Sequence, residues 1–165
     1  MNLFETFPAS SRVWIYQCNR VLLPSEVAEI CARTTVFTEQ WTAHQQLLKA
    51  DFDIRYNLFL IFCVDEKTAA ASGCSIDKSL HLVQQLEKDY NIRFLDRMMT
   101  AFLISDAAIP FNIKELNTLY ASGAVANDTM VFNNLANTLL ELNANWIVTL
   151  EQSWMAQMLT PAIVK

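Results

Sequence analysis

Glycine is nearly missing from this chain, with two in 165 residues, Gly73 and Gly123. A P-loop needs closely placed glycines so that backbone amides can hold phosphates, so it is excluded. No Gly/Ser-rich linker, internal repeat or low-complexity tract divides the chain, which predicts a single domain over 1–165. Charge is thin as well: 18% of residues are charged, against roughly 25% in an average globular chain. The net charge is −5 and the lysines and arginines are scattered. Such a surface repels a nucleic-acid backbone or an anionic membrane, so neither is expected as a partner. Histidine occurs twice, at His44 and His81, and the four cysteines form no C-x-x-C pair. Nothing has zinc-ligand spacing, and no metal or cofactor is expected. The longest apolar run, Leu58 to Val64, is far too short to span a bilayer. The start "MNLFETFPASSRVW" has no basic n-region before an apolar stretch, so no signal peptide is expected and the cytoplasm is the expected location.

What the chain does have is apolar mass, 53% of all residues. At this length that suffices to bury roughly 70% of the unfolded surface. "RVWIYQC" (12–18) is rich in β-branched and aromatic residues and predicts a strand. Pro24 and Ser25 open a helix whose stripe is Val27, Ile30, Cys31, Thr34, Phe37 and Trp41. "LKADFDIRYN" alternates as a half-exposed strand, and the nearly all-apolar "LFLIFCVDE" follows after Tyr56 and Asn57, predicting a hairpin. "SLHLVQQLEKDY" carries Leu80, Val83, Leu86 and Tyr90 at helical intervals, and "RFLDRMMTAFLIS" returns as a strand.

The order β-α-β-β-α-β predicts an α+β fold of ferredoxin-like topology, a four-stranded antiparallel sheet with two helices on one face. Residues 1–105 form this core and residues 106–165 a C-terminal extension. In the extension a capping box from Asn112 to Glu115 and a terminating Gly123 bound a short helix, "TMVFNN" reads as a short strand, and Glu151 to Leu159 as a terminal helix. Strands 12–18 and 58–64 are apolar on both faces. A second apolar sheet face of this size does not stay in water. Either the extension folds over it or two subunits bury it as a homodimer.

This topology brings "WTAH" (41–44) and "SGCSID" (72–77) to one edge, with Arg12 nearby. Cys74 would sit at a helix N-terminus, where backbone amides favour a thiolate. His44 would serve as its base, and Asp77 or Asp51 would orient the ring. Arg12, Trp41, Ser72, Gly73 and Ser75 form the candidate ligand-binding set, with Gly73 letting amides approach an anion. The structural alternative is plain: Ser75 or Asp77 caps the helix and Gly73 punctuates the loop. Cys18, Cys31 and Cys63 lie in apolar patterns as small hydrophobes, and Asp96 with Arg97 reads as an ion pair or turn contact.

Together "SRVWIYQ", "QWTAH", "ASGCSID", "DRM" and "VFNN" resemble a small family of uncharacterised bacterial proteins, some labelled ABC transporter ATPase. The resemblance spans about the first 135 residues. The label implies ATP hydrolysis, which requires G-x-x-x-x-G-K-[ST], and neither glycine here begins such a loop. "LFLIFCVDE", ending in Asp65 and Glu66, is like a Walker B strand only in outline. Gln45 stands where that family commonly has glycine.

The expected function is therefore a module that binds a small ligand or a protein, without catalysis. A thiol-dependent enzyme or redox sensor using Cys74 with His44 is the alternative, and the ATPase of the family label is the third. RNA binding shares the strand order, but the third strand lacks the basic and aromatic pattern of that module.

Overall fold

The computed structural model describes residues 3–67 and 69–159. The chain runs β1 (Arg12–Gln17), α1 (Pro24–Glu39), β2 (Thr42–Ala43), β3 (Gln46–Leu47), β4 (Lys49–Arg55), β5 (Phe59–Asp65) and α2 (Gly73–Tyr90). It continues with β6 (Met99–Ile104), β7 (Ala107–Asn112), α3 (Leu116–Ala121), β8 (Met130–Phe132), α4 (Leu139–Asn145) and β9 (Ile147–Thr149). The class is α+β, as the sequence indicates.

Turns are made without glycine. The hairpins β2–β3, β4–β5 and β6–β7 each close with two residues at positive φ: His44 and Gln45, Tyr56 and Asn57, Ser105 and Asp106. Two consecutive left-handed residues match the twist of the flanking strands. Gly123, at φ +75°, ends α3 as predicted.

β5 is the middle of an antiparallel three-stranded sheet, β1–β5–β4, and every one of its residues is buried. That explains its unbroken apolar sequence. One face meets the helices: Phe62 lies 6.0 Å from Phe37 and 5.6 Å from Trp41, ring centre to ring centre. α1 buries Ile30 and Thr34 of its predicted stripe, and α2 buries Val83 and Leu86. The other face meets the C-terminal half, where Phe59 packs 4.6 Å from Phe132 and 5.1 Å from Trp146. Both faces of the sheet are thus covered within one chain.

The ferredoxin-like sheet is met only in its first three strands. β6, predicted as the fourth, does not pair with β1; it joins a second sheet in the order β7–β6–β8–β9. The physical reason is local. The Ser105–Asp106 turn gives β6 an immediate partner in β7, paired from Met99↔Asn112 to Ile104↔Ala107, and a two-residue loop closes at far less entropic cost than a return to β1. The second sheet therefore begins before residue 105, with its own core around Phe102 stacked on Phe111 at 3.8 Å. β2, β3, β7, α4 and β9 have no counterpart among the expected elements, and the predicted helix 151–159 consists of 3₁₀ turns at Leu150–Gln152 and Trp154–Met158.

Candidate functional site

The segment "SGCSID" forms the N-cap and first turn of α2. Its cap is Ser72, not Ser75 or Asp77: the Ser72 hydroxyl accepts the Ser75 N–H at 3.3 Å, and the Ser75 hydroxyl donates to the Ser72 carbonyl at 2.8 Å. Gly73 has an ordinary φ, and a Cβ there would meet nothing within 4 Å. Its expected role, close backbone approach, is not required by the conformation.

The juxtaposition expected from topology is present. The Trp41 indole donates to the Ser75 carbonyl at 2.8 Å, and the Lys78 ammonium donates to the Thr42 hydroxyl at 3.1 Å. Trp14 packs 6.0 Å from Trp41, and the Arg12 guanidinium lies 4.9 Å above Trp14. Glu66 joins this end, 3.8 Å from Arg12 and accepting the Ala71 N–H at 3.0 Å. Asp65 accepts the Lys67 N–H and the Lys49 ammonium, which hold its carboxyl below the usual range. The acid pair of "VDE" thus closes a turn. Arg12, Trp41, Ser72, Gly73 and Ser75 gather at one end of the sheet. His44 lies at the exposed tip of the β2–β3 hairpin, and Cys74 and Asp77 are exposed on α2. Among the described residues no hydrogen bond or ion pair joins any two of His44, Cys74 and Asp77, and no group of His, Cys, Asp and Glu is arranged to hold a metal. The other thiols are packing groups: burial pushes Cys63 up to about 12 and raises Cys18.

A second place has stronger geometry. Strand residues direct their N–H and C=O alternately to the two sides. In β1 the even-numbered residues face β5, and the Cys18 N–H continues that side by donating to the Leu58 carbonyl at 2.8 Å. The odd-numbered ones face outward. Ser11 and Val13 are bonded there by Leu139 and Asn137, and Asn19 donates to the Arg93 carbonyl at 2.8 Å. Between them the outward N–H and C=O of Ile15 and Gln17 have no backbone partner among the described residues. This is the edge that the expected fourth strand would have filled.

A cavity of about 420 Å³ lies along that gap. Ile15, Tyr16 and Gln17 form one wall, residues 94–97 with Met99 and Thr100 another, and Asn134 and Trp154 close it. Burial raises the Tyr16 phenol, a shift partly opposed by the Ser79 hydroxyl. Gln17 is only 5% exposed, an amide beside Phe59 and two positions from Ile15 on its sheet face. The Trp146 indole donates to Asn134 Oδ1 at 3.2 Å, and Asn134 Nδ2 donates to Gln17 Oε1 at 2.7 Å. Gln17 Nε2 ends this relay, buried and without a partner among the described residues. Asp96 takes the Met98 N–H at 3.0 Å as a turn contact, and Arg97 has no ion-pair partner among the described residues. A larger hollow of about 700 Å³ lies open between α1 and α2 beside Val36 and Leu82. It holds no unpaired buried polar atom and is the weaker site.

Sequence reasoning missed Gln17, Asn134 and Arg97. One signal was available: a glutamine interrupting the double-faced apolar pattern "VWIYQC" of a strand. Asn134, at the end of the predicted strand "TMVFNN", lies beyond β8 and joins the side chains of Gln17 and Trp146. Among the described residues no helix is long and apolar enough to cross a membrane. Searches of protein families, curated proteins and solved structures return no match for the chain, so the reading of this site rests on the geometry of β1 and its cavity.

Proposed function

We propose that the protein is a small-ligand-binding module whose site is the cavity beside β1. The first ninety residues read as most of a ferredoxin-like unit in which the place of the fourth strand stays open and serves as the pocket. The observation that carries this is Gln17 Nε2, a buried donor at the wall of a cavity with no acceptor among the described residues. A buried unpaired donor costs about 1–3 kcal/mol, a cost that a bound acceptor removes. Ligand pockets combine mostly apolar walls with a few convergent polar groups, and this cavity sets Gln17, Thr100 and Arg97 among Phe94, Leu95 and Trp154. The test is a small-molecule screen read by amide resonances in the ¹⁵N-labelled protein. Binders should shift Ile15, Gln17 and Thr100 together, and Gln17→Met should weaken their binding about tenfold. Binders that perturb only residues of α1 and α2 would sink this reading.

Thiol chemistry at Cys74 is the second reading, favoured by one observation: its sulfur-bearing side chain is exposed in the first turn of α2. Rapid alkylation with a midpoint clearly below an ordinary thiol near 8.5, slowed by His44→Ala, would support it. A rate unchanged by His44→Ala would remove the pairing.

A further inference from the structure

The chemistry of the open edge defines what fits there. Outward-facing N–H and C=O groups of Ile15 and Gln17 repeat every second residue, the spacing at which a neighbouring extended chain presents its own. The window is closed at both ends, by Asn137 bonded to Val13 and by the Asn19–Arg93 contact, in which the Arg93 N–H also donates to Asn19 Oδ1 at 2.8 Å. The stops, at Val13 and Asn19, are six steps apart, roughly 20 Å of extended chain, which leaves room for a peptide of about four residues with its end groups. A long strand of a partner protein would run into residues 93 and 137. A short peptide does not. Beside Gln17, a peptide carbonyl supplies the acceptor that Nε2 lacks. Arg97, an exposed residue at the cavity wall with no carboxylate partner among the described residues, matches a negative end group.

We infer that the cavity takes a short extended peptide of about four residues with a free C-terminal carboxylate, added as a strand beside β1. The peptide pairs with Ile15 and Gln17 through its backbone, places a carbonyl against the Gln17 amide and sets its carboxylate toward Arg97. Backbone pairing gives affinity in this mode and side-chain pockets give selectivity. Here Phe94, Leu95 and Trp154 supply apolar walls. The inference rests on the reading that this cavity is a binding site, and names what it binds.

The experiment titrates pooled acetylated tetrapeptides of mixed composition into the ¹⁵N-labelled full chain. Matched pools carry a C-terminal amide or N-methylated backbone nitrogens. Free-acid tetrapeptides should shift the Ile15 and Gln17 amides, while Gln17→Met and Arg97→Gln each weaken binding about tenfold, the equivalent of one charge-assisted or buried hydrogen bond. Ile15→Pro removes an outward N–H that the sheet does not use, and should block binding. Should that variant fold poorly, N-methylated peptides test the same bond from the other side. Equal binding of N-methylated and unmodified pools would overturn the peptide assignment. Small non-peptide carboxylates that shift Gln17 where no peptide does would overturn it too, while leaving the cavity as a ligand site. If no compound in these pools or in the wider screen moves the cavity resonances, both readings fall.

Discussion

Trp41 holds the first turn of α2 against the sheet, and replacing it by phenylalanine measures how firmly. The side chain is 1% exposed and packs between Phe37 at 5.0 Å and Phe62 at 5.6 Å. Its indole N–H donates to the Ser75 carbonyl at 2.8 Å. Trp41→Phe keeps one ring, loses that hydrogen bond, about 1 kcal/mol, and leaves a hollow. A hollow of about 40 Å³ at roughly 24 cal/mol per Å³ adds about 1 kcal/mol more. The expected loss is about 2 kcal/mol, read as a lower urea midpoint at unchanged slope. Loosening this turn should also speed alkylation of Cys74, one residue before Ser75. A loss below about 0.5 kcal/mol, typical of a surface substitution, would refute the anchor assigned to Trp41.

Other expectations follow from single contacts. The Arg20 guanidinium grips Glu26 at 2.8 and 2.7 Å and lowers its carboxyl from an ordinary 4.5 to about 2, helped by the Leu23 N–H. Unscreened, that displacement equals about 3 kcal/mol; with Arg20 39% exposed, solvent leaves about 1 kcal/mol. Because the folded value is depressed, this stability is complete above pH 4.5 and is lost as pH falls toward 2; Glu26→Gln should flatten that window in acid titrations followed by circular dichroism. In native protein, alkylation mapped by mass spectrometry should mark Cys74 first and Cys31 later, whereas Cys63, at about 12, is about one part in ten thousand thiolate at pH 8 and should react only on unfolding. Gln45 sits at φ +66°, where a side chain costs about 1 kcal/mol, so Gln45→Gly should raise the melting temperature by about 2–4 °C; a decrease would show that the side chain supports the hairpin.

Local pattern carried much of the fold into view. The apolar run of residues 58–64 announced a strand buried on both faces, and Tyr56 with Asn57 marked the hairpin turn; the stripe from Val27 to Phe37 announced α1, but Trp41, read as its last member, lies beyond the helix end at Glu39. The fourth strand failed for a reason that periodicity does not encode: "RMMTAFLIS" is a good strand, but strand character does not choose between β1 and β7 as its partner. The choice falls to Ser105 and Asp106, which adopt the left-handed turn without the glycine that would have signalled it. The end of the sheet where Trp41 meets Ser75 was legible because connection order alone brings it together. The cavity was not, because it exists through an absence of pairing at Ile15 and Gln17, and its polar relay joins residues 17, 134 and 146, which no local window contains.

Gln17 also supplies a check on the site that does not depend on finding its ligand. If its amide were an ordinary core feature, removing it should be costly, because a fully paired buried group loses its hydrogen bonds on substitution. Here the balance differs. Gln17→Met removes the unpartnered Nε2 and, in the same step, takes the acceptor from Asn134 Nδ2. One unpaired donor replaces another, and methionine keeps nearly the same volume. The two changes offset, so stability should move by no more than about 1 kcal/mol, read from the urea midpoint. A loss of several kcal/mol would mean that Nε2 is held by a partner in the empty protein, such as a fixed water, and would remove the argument that it awaits an acceptor. A near-neutral change, together with binding weakened about tenfold, separates the role of Gln17 in the cavity from its role in the fold, as expected where a core rule is broken at a functional position.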